Sequence, residues 1–249
     1  MSRSRHDERH PVRWYGLGFR ATALQPPAPP GWSRLFLTRS GACLTRAPGL
    51  LATIAAHHGL LVGERTEVAL HAAEYADLRI LYVTAHDAVR TRPVVVTPLL
   101  RALVDRVVDR GALDAHDSRD RRVIEVIGDE IKSLVDAPFG LALPHDPRAR
   151  RVAEHCLMHT NPDVPPLSAA HLAALAKTSP RTLERLFLAQ TGCSVGRWQR
   201  QMLLLLAQRA LVAGSTVTDA AYEAGYASPS AFIAAFRVAF GVTPGRGRH

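Results

Sequence analysis

Two short stretches near the C-terminal end carry side chains whose types and spacing could do chemistry. Ser179-Pro180-Arg181-Thr182-Leu183-Glu184-Arg185 sets two arginines four residues apart, with a glutamate beside the second. A guanidinium is a planar fork of donors that matches the O6/N7 edge of guanine, or two oxygens of a phosphate. A carboxylate such as Glu184 can accept from cytosine N4. At an offset of 49 residues, Ser228-Pro229-Ser230-Ala231-Phe232-Ile233-Ala234-Ala235-Phe236-Arg237 repeats the frame with different outward chemistry. In both, serine stands where a helix N-cap is wanted and proline at the first helical position. Helix N-termini of this kind favour phosphate.

The histidines offer a second chemistry and fall short of it. His57 and His58 are adjacent, so on a strand they point to opposite faces and cannot ligate one ion together. His71, Glu64 and Glu67 are the other candidates in that region. His155 and His159, four apart beside Cys156, have the spacing of a helical metal pair, but no third ligand lies near in sequence. There is no P-loop, nucleophile elbow or dinucleotide fingerprint. The sequence therefore predicts no catalytic residue, no metal and no cofactor.

The elements that must position the two stretches follow from periodicity. With Leu183, Leu186 and Phe187 turned inward, the outer face of the first helix holds Arg181, Glu184, Arg185 and Leu188, with Thr182 at its edge. In the second, Phe232, Ala235 and Phe236 turn inward, and Ser230, Ile233, Ala234 and Arg237 face out, with Ala231 beside them. Each stops at a glycine, Gly192 and Gly241, suited to a left-handed C-cap. Each is preceded by a short apolar helix and a tight turn: Ser168–Ala176 with Lys177-Thr178, then Val217–Ala224 with Gly225-Tyr226-Ala227. That is the helix-turn-helix pattern, present twice. Helices are predicted over 146–159, 168–176, 179–190, 195–213, 217–224 and 229–240. The breaks between them include Asn161-Pro162, Pro165-Pro166, Gly214 and Gly225. The run Leu203–Leu206 reads as the buried face of a connecting helix.

Composition bounds the rest. The chain has 249 residues, 31 basic against 22 acidic, and a net charge of +9. Residues 145–249 carry +6 of that excess and residues 1–144 only +3, which points the C-terminal part at an anionic partner. All basic residues but Lys132 and Lys177 are arginine, although a GC-biased genome also writes arginine by default. The hydrophobic fraction of 47% is too high for a disordered chain. Three widely spaced cysteines predict no disulfide framework and a reducing compartment. No apolar run approaches a membrane span, and MSRSRHDERH has no apolar segment behind it, so a soluble cytoplasmic protein without a signal peptide is expected.

Further upstream, Gln25-Pro26-Pro27-Ala28-Pro29-Pro30 cannot be a helix interior or a central strand, and residues 1–30 read as an irregular lead-in. Short strands are predicted over 34–38, 42–45, 50–54, 59–62, 66–70 and 78–83, a small barrel or sandwich. Thr97-Pro98 opens a helix whose stripe includes Leu99, Leu103 and Val107, ended by Gly111. Ser118 can cap a second helix. The predicted class is α+β: a small β-barrel over 31–92, a helical linker and dimerisation region over 93–144, and an all-α domain with two helix-turn-helix motifs over 145–249.

From about Leu167 to Gly245 the chain resembles the DNA-binding domain of AraC/XylS-family transcription regulators. The matching residues are Ser179, Arg181, Leu183, Arg185 and Phe187 in the first motif. In the second they are Gly225-Tyr226, Ser228, Phe232, Phe236 and Gly241-Val242-Thr243-Pro244. The resemblance implies two recognition helices held by a connecting helix over about Val195–Ala213 and entering successive major-groove segments. Ser179, Arg181, Thr182, Glu184, Arg185, Ser228, Ser230, Ala231, Ala234 and Arg237 are then the candidate DNA contacts. Many relatives place a long polar residue where Ala234 sits, so the second motif is expected to position more than to read. Trp32-x-x-Leu35-Phe36-Leu37-x-x-x-Gly41 and Leu78–Val83 resemble, more loosely, the cupin-like sensor domain of one branch of the family. The histidines that cupin enzymes use for metal are missing from the matching region, Pro26–Gly31. The implied partners are double-stranded DNA, a small-molecule effector and a second copy of the chain. Two readings stand beside a regulator: a metal-dependent cupin enzyme fused to a DNA-binding module, and a DNA-binding protein whose first half only dimerises.

Overall fold

The computed structural model describes residues 9–55, 57–84, 89–159 and 167–244. Nine strands and eight helices lie among them, in two compact units. The first unit holds the described residues up to Ala137, apart from Pro48–Ala52; the second holds Pro48–Ala52 and the chain from Pro138 onward.

The strands of the first unit are β1 (Val12–Gln25), β2 (Trp32–Ser40), β3 (Cys43–Ala47), β4 (Leu50–Ile54, whose first residues fall in the second unit), β5 (His58–Val62), β6 (Val68–Thr84) and β7 (Arg92–Val95). Helix α1 (Pro98–Arg110), the short β8 (Ala112–Leu113) and helix α2 (Ser118–Ser133) follow. The long β6 is the spine. Along one edge it pairs with β1 from Val12↔Val83 to Gln25↔Val68. Along the other it pairs with β2 near its C-terminal end and with β3 near its start. Beyond β2 lie β5 and β7. Every pairing is antiparallel, and the long ribbon divides its other edge between two sets of strands, as in a small barrel.

Side chains alternate across β2. Leu35 and Leu37 join Leu61, Leu81, Val94 and Val96 in a core sealed by Leu100, Val104 and Val107 of α1 and Ile127 of α2. From the other face Arg34 is fully buried, its guanidinium donating to the carbonyls of Pro26 (2.7 Å) and Thr66 and lying over the Phe36 ring. Burial pushes its pKa down, and Tyr82 opposes the shift. Thr97 caps α1 by accepting from Leu100 N at 3.0 Å. The buried Asp120 carboxylate joins the two helices, accepting from Arg110 Nη2 at 3.0 Å and Asp114 N at 3.1 Å.

Four expectations change here. Residues 1–30 are not irregular throughout: Val12–Gln25 is a 14-residue strand, and the proline cluster only follows it. That strand buries little beyond Val12, so it has no apolar alternation to show; its pairing to β6 makes it a strand. The strands predicted over 66–70 and 78–83 are one, because β1 pairs along β6 on both sides of a register shift at Phe19/Ala21. The stripe Leu99, Leu103, Val107 does not present one outward face. Steps of four residues turn 40° each time, so Leu99 is exposed, Leu103 packs on the core and Val107 is inside it. The second helix is capped by Asp117 rather than Ser118, with Asp117 Oδ1 accepting from Arg119 N and Asp120 N at 2.9 Å.

The second unit opens on β9 (Gly140–Ala142), paired with Leu50–Ala52. Helices α3 (Pro147–Met158), α4 (Ala169–Leu175), α5 (Pro180–Thr191), α6 (Val195–Val212), α7 (Val217–Glu223) and α8 (Pro229–Phe240) complete it, each within two residues of its predicted span. The breaks at Asn161-Pro162 and Pro165-Pro166 lie outside the described residues. Phe139 is fully buried against Phe236 and Phe240, with ring centroids 6.4 and 4.8 Å away, so this core takes in residues upstream of 145. Among the described residues no helix is long and apolar enough to cross a membrane.

Candidate nucleic-acid interface

The two recognition helices are built alike. Ser179 Oγ accepts from Thr182 N at 3.2 Å and Ser228 Oγ from Ala231 N at 3.3 Å. Pro180 and Pro229 follow, where the missing N–H costs nothing. Gly192 and Gly241 close them at φ near +73, a left-handed conformation that residues with side chains adopt only under strain. Leu183 and Phe187 are buried in α5, Phe232 and Phe236 in α8, as the spacing predicts.

The preceding turns differ by one residue. Lys177 N donates to Ala174 O and Thr178 N to Ala173 O; Gly225 N donates to Tyr222 O and Tyr226 N to Ala221 O. That offset is 48, while the recognition helices repeat at 49, so Ala227 is an inserted residue before the second cap. The left-handed position falls on Gly225 in one turn and on Lys177 (φ 51) in the other. A lysine is a costlier choice there than glycine, and its result is an exposed cation beside the first recognition helix.

Helix α6 carries both motifs. Trp198, Met202, Leu204, Leu205 and Leu211 are buried along it. Trp198 Nε1 donates to Ala142 O at 2.8 Å, and its ring meets Phe187 edge-on at 5.6 Å. The side-chain oxygen of Gln190 accepts from His145 N and Asp146 N, which fixes the start of α3. Asp146 caps α3, and the Arg148 guanidinium, then the Arg148 N–H, hold its carboxyl at about 2.

The structure brings most of the predicted contact residues to exposed positions. Arg181 and Arg185 are exposed on α5, and among the described residues neither forms an ion pair. Ser230, Ala231, Ala234 and Arg237 are exposed on α8. Thr182 is half-buried and its hydroxyl accepts from Ser179 Oγ at 2.9 Å. The Glu184 carboxylate also accepts from Val195 N at 3.2 Å, at the positive end of α6, a bond within the domain that the spacing did not show. Sequence reasoning did not single out Lys177, Arg197 and Arg200, all exposed. Burial raises the Tyr226 pKa and the charge of Arg200 on α6 opposes the shift, so that cation lies near the second turn. Only the +6 charge of residues 145–249 hinted at them.

The histidines stay apart from this surface chemistry. His155 and His159 stack at 4.3 Å, and partial burial with the neighbouring His159 and His171 lowers the His155 pKa. Burial, then His57, brings His58 down to about 4, so it is neutral near pH 7. Among the described residues no group of three His, Cys, Asp or Glu side chains is placed to hold a metal ion.

Two helix-turn-helix motifs on one connecting helix define the class of domain. Residues 172–249 match the family model described as "Helix-turn-helix domain". The HTH-type transcriptional regulator NimR of Escherichia coli (strain K12) is 32% identical over 151 residues, 61% of this chain and 54% of NimR. The HTH-type transcriptional regulator GlxA of Rhizobium meliloti (strain 1021) is 37% identical over 81 residues, 32% of this chain and 25% of GlxA. The chain thus spans about half the length of the first relative and a quarter of the second. A solved transcriptional regulator from Chromobacterium violaceum, described as of AraC type, is 23% identical over 41% of this chain and 89% of its own, with a TM-score of 0.38. The chain carries a helix-turn-helix domain over residues 172–249, preceded in sequence by an antiparallel β-barrel domain.

Proposed function

We propose that the chain is a sequence-specific transcription regulator that binds double-stranded DNA through residues 138–249. The observation that carries this reading is the pairing of two capped, outward-facing helices with Arg181 and Arg185 exposed on the first. Arg181 and Arg185 take guanine edges, with Thr182 at the same face. Ser179 and Ser228 present helix N-termini to phosphates, and Lys177, Arg197, Arg200 and Arg237 grip the backbone. Ser230, Ala231 and Ala234 face the groove from α8. The two helices of one chain then meet major-groove segments about one helical turn, ~34 Å, apart. No catalytic step belongs to this function, and a regulator of this kind works in the cytoplasm.

A small-molecule effector acts through the first unit. A cavity of about 380 Å³ lies there between β2, β6 and α1, lined by Leu37, Val104 and Val108 and rimmed by Arg39, Arg79 and Arg101. The Arg101 guanidinium donates to Thr38 O at 3.0 Å, and burial lowers its pKa. Its three cations, with Asp105 and Asp109 along the same helix as Arg101, fit a small polar molecule bearing a negative charge.

Salt tests the DNA reading. Neutralising several phosphates sets a log–log slope of about −4 to −8, from roughly −0.9 per phosphate. A flat response in a titration of duplex binding against salt overturns it. A fragment 138–249 retains that binding, because both motifs, α6 and the Phe139 contacts lie within it; a folded fragment that does not bind assigns DNA recognition elsewhere.

The chain also pairs with a second copy through the exposed end of α1, where Leu99 stands half in solvent. Leu99→Glu leaves the core untouched and should halve the mass in sedimentation. A folded variant of unchanged mass excludes this helix as the contact.

A further inference from the structure

The outward faces of the two recognition helices differ in kind. Where α5 shows Arg181, Thr182 and Arg185 ahead of Leu188 and Ala189, α8 shows Ser230, Ala231 and Ala234 ahead of Arg237 and Val238, so the difference lies in the half nearer the cap. Ala231, Ala234 and Val238 fall three and four residues apart, so they form one stripe on the exposed side. Val238 is 85% exposed. Nothing in the fold of the second unit asks for apolar groups there, since Phe232, Phe236 and Phe240 supply the buried face.

The major groove offers one apolar group, the C5 methyl of thymine. We infer that the second motif reads thymines, with Ala231 and Ala234 against the methyls of successive A·T pairs. This rests on the DNA-binding reading above and gives the second half of its site a base preference. It also departs from the expectation that the second motif mainly positions. Two features of α8 support it. Alanine lets the helix backbone approach the base edges closely, which a long side chain would prevent. The stripe is flanked by groups suited to phosphate, the capped N-terminus at Ser228 on one side and Arg237 on the other. A protein partner fits the stripe poorly, because three small side chains cannot supply the roughly 800 Å² per partner of a stable protein contact.

The test uses the full chain and a duplex selected for binding from random sequence. The base lost by Arg185→Ala marks the segment under α5; the remaining segment lies under α8. Each thymine is then replaced by uracil, which lacks only the C5 methyl. Removing one methyl-sized contact should weaken binding about fourfold, and two about fifteenfold, from ~0.8 kcal/mol per buried methylene-sized group. Uracil under α5 should change nothing. Ala234→Arg, at an exposed helical position, should exchange thymine for guanine at one base and remove the uracil effect there. Equal binding of the uracil and thymine duplexes under α8, or sensitivity confined to α5, overturns the inference. Absence of any sequence preference in the selection is a different result: it overturns the DNA-binding reading, and the inference with it.

Discussion

Trp198→Ala should cost the second unit about 3–5 kcal/mol, read as a fall in the denaturant midpoint at unchanged slope. The side chain is fully buried and is the largest such group among the described residues. Its removal leaves a cavity beside Phe187 and strips Ala142 O of its indole partner. Ala142 is only half-buried, so water replaces part of the lost hydrogen bond and the cavity dominates the cost. Trp198→Phe keeps most of the volume and loses the hydrogen bond, so the difference between the two variants isolates the cavity. A Trp198→Ala chain as stable as the parent would mean that α6 is not the support on which both motifs rest.

Arg185→Ala should cost about 1–3 kcal/mol of DNA affinity and relax preference at one base pair, with Arg181→Ala giving a similar loss at another. Both stand on the N-terminal half of α5, the part that meets base edges when such a helix docks. Arg237→Ala should behave differently. It lies two turns into α8, so its loss should weaken all sequences alike and lower the salt slope by about one. Binding selection on the three variants separates the roles. If Arg185→Ala keeps full sequence preference while Arg237→Ala loses it at defined bases, reader and positioner are interchanged.

The recognition helices were legible in the sequence because every signal that makes them is local. Ser179-Pro180 and Ser228-Pro229 start them, Gly192 and Gly241 stop them, and Leu183/Phe187 and Phe232/Phe236 fix which side is buried. Exposure of Arg181, Arg185 and Arg237 then follows from 100° per residue. The bond that Glu184 makes within the domain was not legible, for the opposite reason. Its partner, Val195 N, is eleven residues away across a turn, and no helical wheel shows which end of a neighbouring helix a carboxylate will meet.

The first unit reversed the balance. β2 and β5 announce themselves by burial, whereas β1 is half-exposed, interrupted by Gly16 and Gly18, and held by its ladder to β6. Whether Leu99, Leu103 and Val107 face out or in depended on where α1 lands on the sheet, which periodicity leaves open. What the sequence by itself determined about this protein is therefore its class, its doubled motif, its helix limits and the cations of α5, since caps, turns and helical period act over a few residues. What only the tertiary structure decided is the strand made by its partner, the one-residue insertion at Ala227, the seat of Trp198 on Ala142 and the bond of Glu184 to Val195. Each of these depends on a hydrogen bond or a packing contact between residues distant along the chain, whose energy exists only once the elements have met.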